Sequence, residues 1–368
     1  MRKTAIIMAV TLLAAGGAAF ANDCVSVFGR NDEIINVHAK NISMREEEIV
    51  ITLRKDYYEV DVTFDFFNSG PEEKVQLGFP VKFVGIAGRF EDYNFKSYIN
   101  GKIIPLHTTK KDTIAIEDGY YSRGTLWFIR NVTFPANSRT VSRVTYKAEY
   151  SQCGGPYAGY IYGTGRFWKG GIGKMTVVIN HGDDVLIKHS AESIKAQIKA
   201  KSSNFIWEAD GRYKYIFENV NPTSGDEKIH IYIKTFESGL YGEYGKYGNP
   251  FGTHPDDNPD GAYGWVWDKY LLYEKPTEIQ LYTKNQIRLF INFFSAIHGY
   301  DFKNPLYKEY FRKIEDFDIY SNDNKKIKYE VNPNFNESLF NEFERKNVAY
   351  LLKLEKMIPN KTGEEKPK

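Results

Sequence analysis

Residues 48–66 read EIVITLRKDYYEVDVTFDF, and their period sets the architecture of most of the chain. Apolar side chains fall at every second position: Ile49, Ile51 and Leu53, then, after a polar break at Lys55 and Asp56, Val60, Val62, Phe64 and Phe66. A period of two puts alternate residues on one face of a pleated strand, so the stretch predicts an antiparallel hairpin with a single apolar face. Working outward, NSGP (68–71) breaks the run and KVQLGFP (74–80) adds Val75, Leu77 and Phe79. Further strands are predicted in FKSYINGKIIP (95–105), TLWFIRNVTF (125–134), VTYKAEY (144–150), KMTVVIN (174–180), NFIWEADGRYKYIF (204–217) and KIHIYIKTF (228–236). Asn100-Gly101 and Asp210-Gly211 stand between alternating runs, which is the strongest short-range hairpin signal. The content of Phe, Trp and Tyr, 15%, suits half-buried sheet faces. These features predict a mainly β chain built on antiparallel sandwiches.

The amino end, MRKTAIIMAVTLLAAGGAAFAND, carries Arg2 and Lys3, an apolar run from Ala5 to Phe20, and Ala19 and Ala21 around Phe20. This predicts a cleaved secretory signal over residues 1–21, a mature start at Asn22 and a secreted or periplasmic protein. The run is too diluted with Ala and Gly for a spanning helix of ~20 strongly apolar residues. Removing Arg2 and Lys3 from 49 basic residues leaves 47 against 47 acidic ones. A neutral chain makes no electrostatic case for nucleic acid. The two cysteines, Cys24 and Cys153, are expected to form one disulfide in an oxidising compartment, two buried thiols being the alternative.

ISMREEEIVITLRKDYYEVDVTFDFFNSGPEEKVQLGFP (42–80), INGKIIP (99–105) and TGRFWKGGIGKMTVVI (164–179) together resemble a family of signal-peptide-bearing bacterial proteins classed as a domain of unknown function. The resemblance covers roughly residues 30–236 and rests on the Asn-x-Gly-Pro break, a Gly-Phe-Pro strand exit and the Thr-Gly-x-x-Trp-x-Gly-x-Ile-Gly run. It implies a secreted β-rich scaffold and no activity. The β region is assigned to 22–237, with a division into two subdomains expected, if anywhere, near 151–170.

Residues 238–276 form a Tyr/Gly-rich linker. Tyr241, Tyr244 and Tyr247 repeat with glycine and offer an exposed binding surface, or else pack the loop on its scaffold. Asp256, Asn258 and Asp260, followed by Gly261, copy the opening of a calcium loop, with short oxygen side chains at alternate positions. The twelfth place holds Trp267 instead of Glu and Pro259 stiffens the loop, so a solvated acidic turn is the competing reading. Calcium is the one cofactor the chain suggests.

From 277 to 357 the period becomes helical. NQIRLFINFFSAIHG (285–299) spaces Ile287, Phe290, Ile291, Phe294 and Ile297 by three and four, with Gly299 as a left-handed cap. Asn304-Pro305 opens a second helix expected to bury Leu306, Tyr310, Phe311 and Ile314. A third is expected from Asn334 or Asn336 past Leu351, with Leu339, Phe340, Phe343 and Tyr350 inward. The tail, 358–368, is too polar to fold. SAIHGYDF (295–302), YKEYF (307–311) and LFNEFERKNV (339–348) make this module similar to the YARHG domain, a small bacterial extracytoplasmic domain. Ala296, His298, Gly299, Tyr300 and Phe302 match its pattern, while Ser295 and Ile297 replace its first Tyr and its Arg.

His298 has three readings: a structural cap whose ring donates to the last helix carbonyls, a binding contact together with Tyr300, or a base acting on Ser295. Capping needs the least else. The chain contains no His-Glu-x-x-His and no Gly-x-Ser-x-Gly, and GTGRFWKGGIGK lacks phosphate-loop spacing. NHGDD (180–184) reads as a polar turn. The expectation is a non-enzymatic binding or interaction protein of the cell envelope whose partner is an envelope protein or cell-wall component. An envelope hydrolase with residues dispersed along the chain is the alternative, and a Ser/His pair or two facing carboxylates would mark it.

Overall fold

The computed structural model describes residues 24–28, 34–36, 38–84, 90–115, 122–151, 156–225, 227–235, 279, 281–313 and 329–359. The opening stretch is the central hairpin, β3 (Ile42–Leu53) and β4 (Tyr57–Asn68), turned so tightly that Leu53 faces Tyr58. β4 is strictly periodic, burying Tyr58, Val60, Val62, Phe64, Phe66 and Asn68. β3 changes parity. Ile42 and Met44 are buried, and then Glu47, Ile49, Ile51 and Leu53. A register shift between Met44 and Glu46 inserts one extra residue opposite β4, and such a bulge swaps the faces of everything that follows. Room for it comes from the parallel neighbour β12 (Ile172–His181), where a Cβ on Gly173 would lie 2.6 Å from the Arg45 carbonyl oxygen.

Around this hairpin the strands form an eight-stranded sheet in the order β14-β15-β12-β3-β4-β10-β6-β7. Its other members are β6 (Lys96–Ile99), β7 (Lys102–Ile104), β10 (Ser138–Glu149), β14 (Ser202–Ala209) and β15 (Arg212–Val220). The Asn100-Gly101 and Asp210-Gly211 hairpins form as expected, the first with positive φ at both turn residues (49° and 78°). A five-stranded sheet runs β2 (Ile34–Asn36), β1 (Cys24–Phe28), β5 (Glu73–Val84), β9 (Ser122–Phe134), β8 (Thr108–Ala115). β5 does not exit at Pro80: it continues to Val84 paired with β9, with Pro80 opposite Trp127, while the ladder to β1 reaches Gly78 among the described residues. A three-stranded sheet, β11 (Tyr157–Ile161), β16 (Lys228–Thr235), β13 (Val185–Ile187), completes the set. Every described pairing is antiparallel except β3 with β12.

Both smaller sheets pack on the large one. Phe66 meets Phe134 and Phe79 meets Tyr146 under the five-stranded sheet, while under the three-stranded one the Tyr58 hydroxyl donates to the Gly159 carbonyl and Tyr160 donates to Glu47 at 2.6 Å. Inward side chains of all three sheets belong to one apolar cluster, including Phe64, Phe128, Ile179 and Ile231. That cluster draws on strands from both sides of residues 151–170.

The helical part comprises α2 (Lys284–Ile297), α3 (Pro305–Lys313) and α4 (Glu342–Met357), after a short α1 (Ala191–Lys195) within the β region. The chain is therefore mainly β with a carboxyl-terminal α module, as expected from the sequence. Ile287, Phe290, Phe294, Tyr310 and Phe311 are buried as expected, with Ile291 and Ile297 half-buried. Leu306 and Leu339, expected inward, are 40% and 41% exposed. The third helix starts later than expected, because Asn336 caps only a short 3-10 turn and Asn341 caps α4. The NHGDD turn is more than a polar turn: it is the socket for α2. Asp183 accepts from Thr283 Oγ1 (2.5 Å) and Asn285 Nδ2 (2.8 Å), Gln286 Nε2 donates to the Asp183 and Val185 carbonyls, and Asp210 accepts the Lys284 N–H. No helix among the described residues is long and apolar enough to cross a membrane.

Candidate functional site

β16 alternates inward Ile229, Ile231 and Ile233 with outward Lys228, His230 and Tyr232. On its β11 side Tyr157 pairs with Tyr232 and Gly159 with His230, so no side chain of β11 stands opposite the imidazole. Instead the Tyr157 ring lies 5.0 Å from His230 and 5.1 Å from Tyr232. On the other side β13 stops at Ile187, the Lys188 N–H donates to the Tyr232 carbonyl, and the chain turns into α1 behind Ser190. The Gln197 side chain then continues the ladder in place of a strand. Its Nε2 donates to the His230 carbonyl at 3.0 Å and its Oε1 accepts the His230 N–H at 2.6 Å. Both backbone groups of His230 are thereby satisfied by one side chain.

His189 sits in the turn, its ring 5.5 Å from Tyr232. Ser193 Oγ donates to the Ser190 carbonyl at 3.0 Å, so toward His189 Nδ1 at 3.3 Å it can only accept. Nδ1 therefore carries the proton and Nε2 presents a lone pair, buried and with no hydrogen-bond partner. Burial, and then the charge of Lys188, lowers the His189 pKa. Burial, followed by Lys228 and His189, lowers that of His230 to about 4. Both rings are neutral at neutral pH. Tyr157 is itself buried, so the arrangement offers the half-buried ring of Tyr232, backed by Tyr157, and an imidazole acceptor. Ser193 Oγ lies between the Ser190 carbonyl and the His189 ring, bonded to both.

The residues singled out in the sequence lie elsewhere. His298 is the carboxyl cap of α2, with Gly299 at φ 80° and the paired bonds Gly299 N–H to Ala296 and Tyr300 N–H to Ser295. Its ring does not reach the helix carbonyls. His298 Nε2 donates to Glu344 Oε2 at 2.9 Å, the oxygen that also accepts the Asn341 N–H at 2.8 Å in the capping box of α4. The ring thus joins two helix ends. Tyr300 packs on Phe302 and Phe335 within the module. Tyr241, Tyr244, Tyr247, Asp256, Asn258 and Asp260 fall outside the described residues, as does Cys153; Cys24 contributes its backbone to β1. Among the described residues no group of three or more His, Cys, Asp or Glu is placed to hold a metal. The alternation of KIHIYIKTF already put His230 and Tyr232 on one face; Tyr157 and His189 arrive only through topology.

No family model and no curated protein matches the chain. Among solved structures it is similar to a Legionella pneumophila protein described as a "putative nutrient binding protein", at 18% identity and a TM-score of 0.44, over 92% of this chain and 99% of that one.

Proposed function

We propose that this chain is a non-enzymatic binding protein of the cell envelope and that its ligand, a cell-wall component, seats against the outer side of β16. The observation that carries the reading is the convergence of Tyr157, Tyr232, His189 and His230, with a buried imidazole acceptor that lacks a donor. A buried acceptor left open costs about 1–3 kcal/mol, and a ligand N–H or O–H removes that cost. The half-buried Tyr232 face, held from behind by the buried Tyr157, gives such a ligand contact area with little ordering entropy. A saccharide, with C–H faces and many hydroxyls, fits both. Location outside the cytoplasm is supported by the leader-like residues 1–21, and an extracytoplasmic YARHG-like module by the match at Ala296, His298, Gly299, Tyr300 and Phe302.

The test is retention of soluble cell-wall glycan fragments by the immobilised protein. Wild type should retain them, and Tyr232→Ala should not while melting at the wild-type temperature. Equal retention by both, or by neither, removes the reading.

A further inference from the structure

We propose that the joint between the β scaffold and the helical module is released by a proton taken up at His181. This residue lies before β13 and the face proposed for the ligand lies after it, so the two sites are separate. Hydrogen bonds fix the state of the ring. Both partners of Nδ1, the Gly182 carbonyl at 2.9 Å and the Val185 carbonyl at 3.0 Å, can only accept, so Nδ1 carries a proton. In the neutral ring Nε2 is then a lone pair, and it accepts from the Tyr213 hydroxyl at 3.0 Å. That hydroxyl also lies 3.4 Å from the carbonyl of Tyr282, the residue before the amino-terminal cap of α2. A proton on Nε2 reverses the first bond: Tyr213 must accept from the ring and turn its own proton to Tyr282.

The same ring shapes the socket of α2. By tying Gly182 and Val185 together from inside, it holds the turn in which Asp183 receives Thr283 and Asn285, and the Val185 carbonyl takes its second donor from Gln286. His181 is 8% exposed, so an imidazolium in the closed joint loses most of its hydration. The charged and titratable groups facing it are Asp183 and Asp184 of its own turn, Tyr213 of β15 and, around that phenol, Asp210 and Tyr282. Burial opposes the cation and the two carboxylates favour it; burial prevails and lowers the His181 pKa. The improved bond from Tyr213 to Tyr282 is a neutral one and does not offset the dehydration of an ion. The imidazolium regains water only when the turn opens, and opening takes Asp183 away from α2. The open joint therefore binds the proton more tightly, and opening is favoured as pH falls below the solvated histidine pKa of about 6.5.

Hydrogen exchange of the full chain between about pH 7.5 and 5.5, with exchange times scaled to the intrinsic amide rate at each pH, tests this. In wild type the opening constant at residues 281–286 should be level above pH 7 and rise, approaching tenfold per pH unit, below about 6.5, while β4 and β10 keep their protection. His181→Gln, which keeps a donor for the two carbonyls and does not titrate, should show no such dependence. Level wild-type protection across the range, or a dependence that survives His181→Gln, overturns the proposal. Should the variant fail to fold, the imidazole 15N resonances of wild type decide. His181 must take up its proton in step with the rise in exchange at 281–286, and protonation with the joint still protected overturns the release.

Discussion

Gly299 is held at φ 80°, a left-handed conformation that lets the Tyr300 N–H reach back to Ser295 and close α2. The site is also filled. A Cβ there would lie 2.5 Å from the Glu330 carbonyl oxygen and 2.7 Å from Asn332 Cβ, so strain and collision act together. Gly299→Val should therefore destabilise the helical module by about 3 kcal/mol or more, read as a lower urea midpoint for the helical circular-dichroism signal. Its neighbour acts through a side chain. The Glu344 side chain is only 2% exposed and His298 supplies one of its hydrogen bonds, so His298→Gln should cost about 1–2 kcal/mol in the same measurement. A double-mutant cycle with Glu344→Gln should show coupling near 1 kcal/mol, whereas additive losses would mean that the ring and the carboxylate act separately.

Among the elements, β3 shows how one inserted residue is accommodated. Its bulge turns Ile49, Ile51 and Leu53 inward and brings Glu47 with them, and Tyr160 and Gly173 make that arrangement tolerable. Gly173→Ala should push a methyl group into the Arg45 carbonyl oxygen and lower stability by about 1–3 kcal/mol, without loss of β-sheet content. α2 depends on a different element for its start. Asp183 receives two side-chain donors from Thr283 and Asn285, so Asp183→Ala should loosen the joint between sheet and helices. Hydrogen exchange should then rise at residues 281–286 by tenfold or more while β4 and β10 keep their protection. Unchanged exchange at 281–286 would show that apolar packing alone holds the joint.

Across the whole molecule, acid has a defined point of attack. His181 is buried where β12, β13 and β15 meet the start of α2: its Nδ1–H donates to the Gly182 and Val185 carbonyls and its Nε2 accepts the Tyr213 hydroxyl at 3.0 Å. Burial lowers the pKa of His181, as it does those of His189 and His230. A group that binds its proton more weakly when folded favours the unfolded chain in acid. Its contribution to stability is full above the unfolded pKa of about 6.5 and declines as pH falls toward the folded one, about 4 for His230. The melting temperature should be level above pH 7 and fall between pH 6.5 and 5, before most carboxylates titrate, and His230→Gln should flatten part of that fall. The sequence alone determined whatever repeats over a few residues: the strands of the central hairpin, the Asn-Gly and Asp-Gly turns, the glycine that ends α2 and the switch to helical period, because neighbours in the chain set backbone angles and alternate faces directly. Tertiary structure decided the parallel pairing of β3 with β12, the continuation of β5 through Pro80, and the destination of the His298 ring. It also decided the packing of the His189 ring on Tyr232. These are contacts between residues distant in the chain, some 40 apart for His189 and Tyr232, and only the order of strands in a sheet brings such residues together.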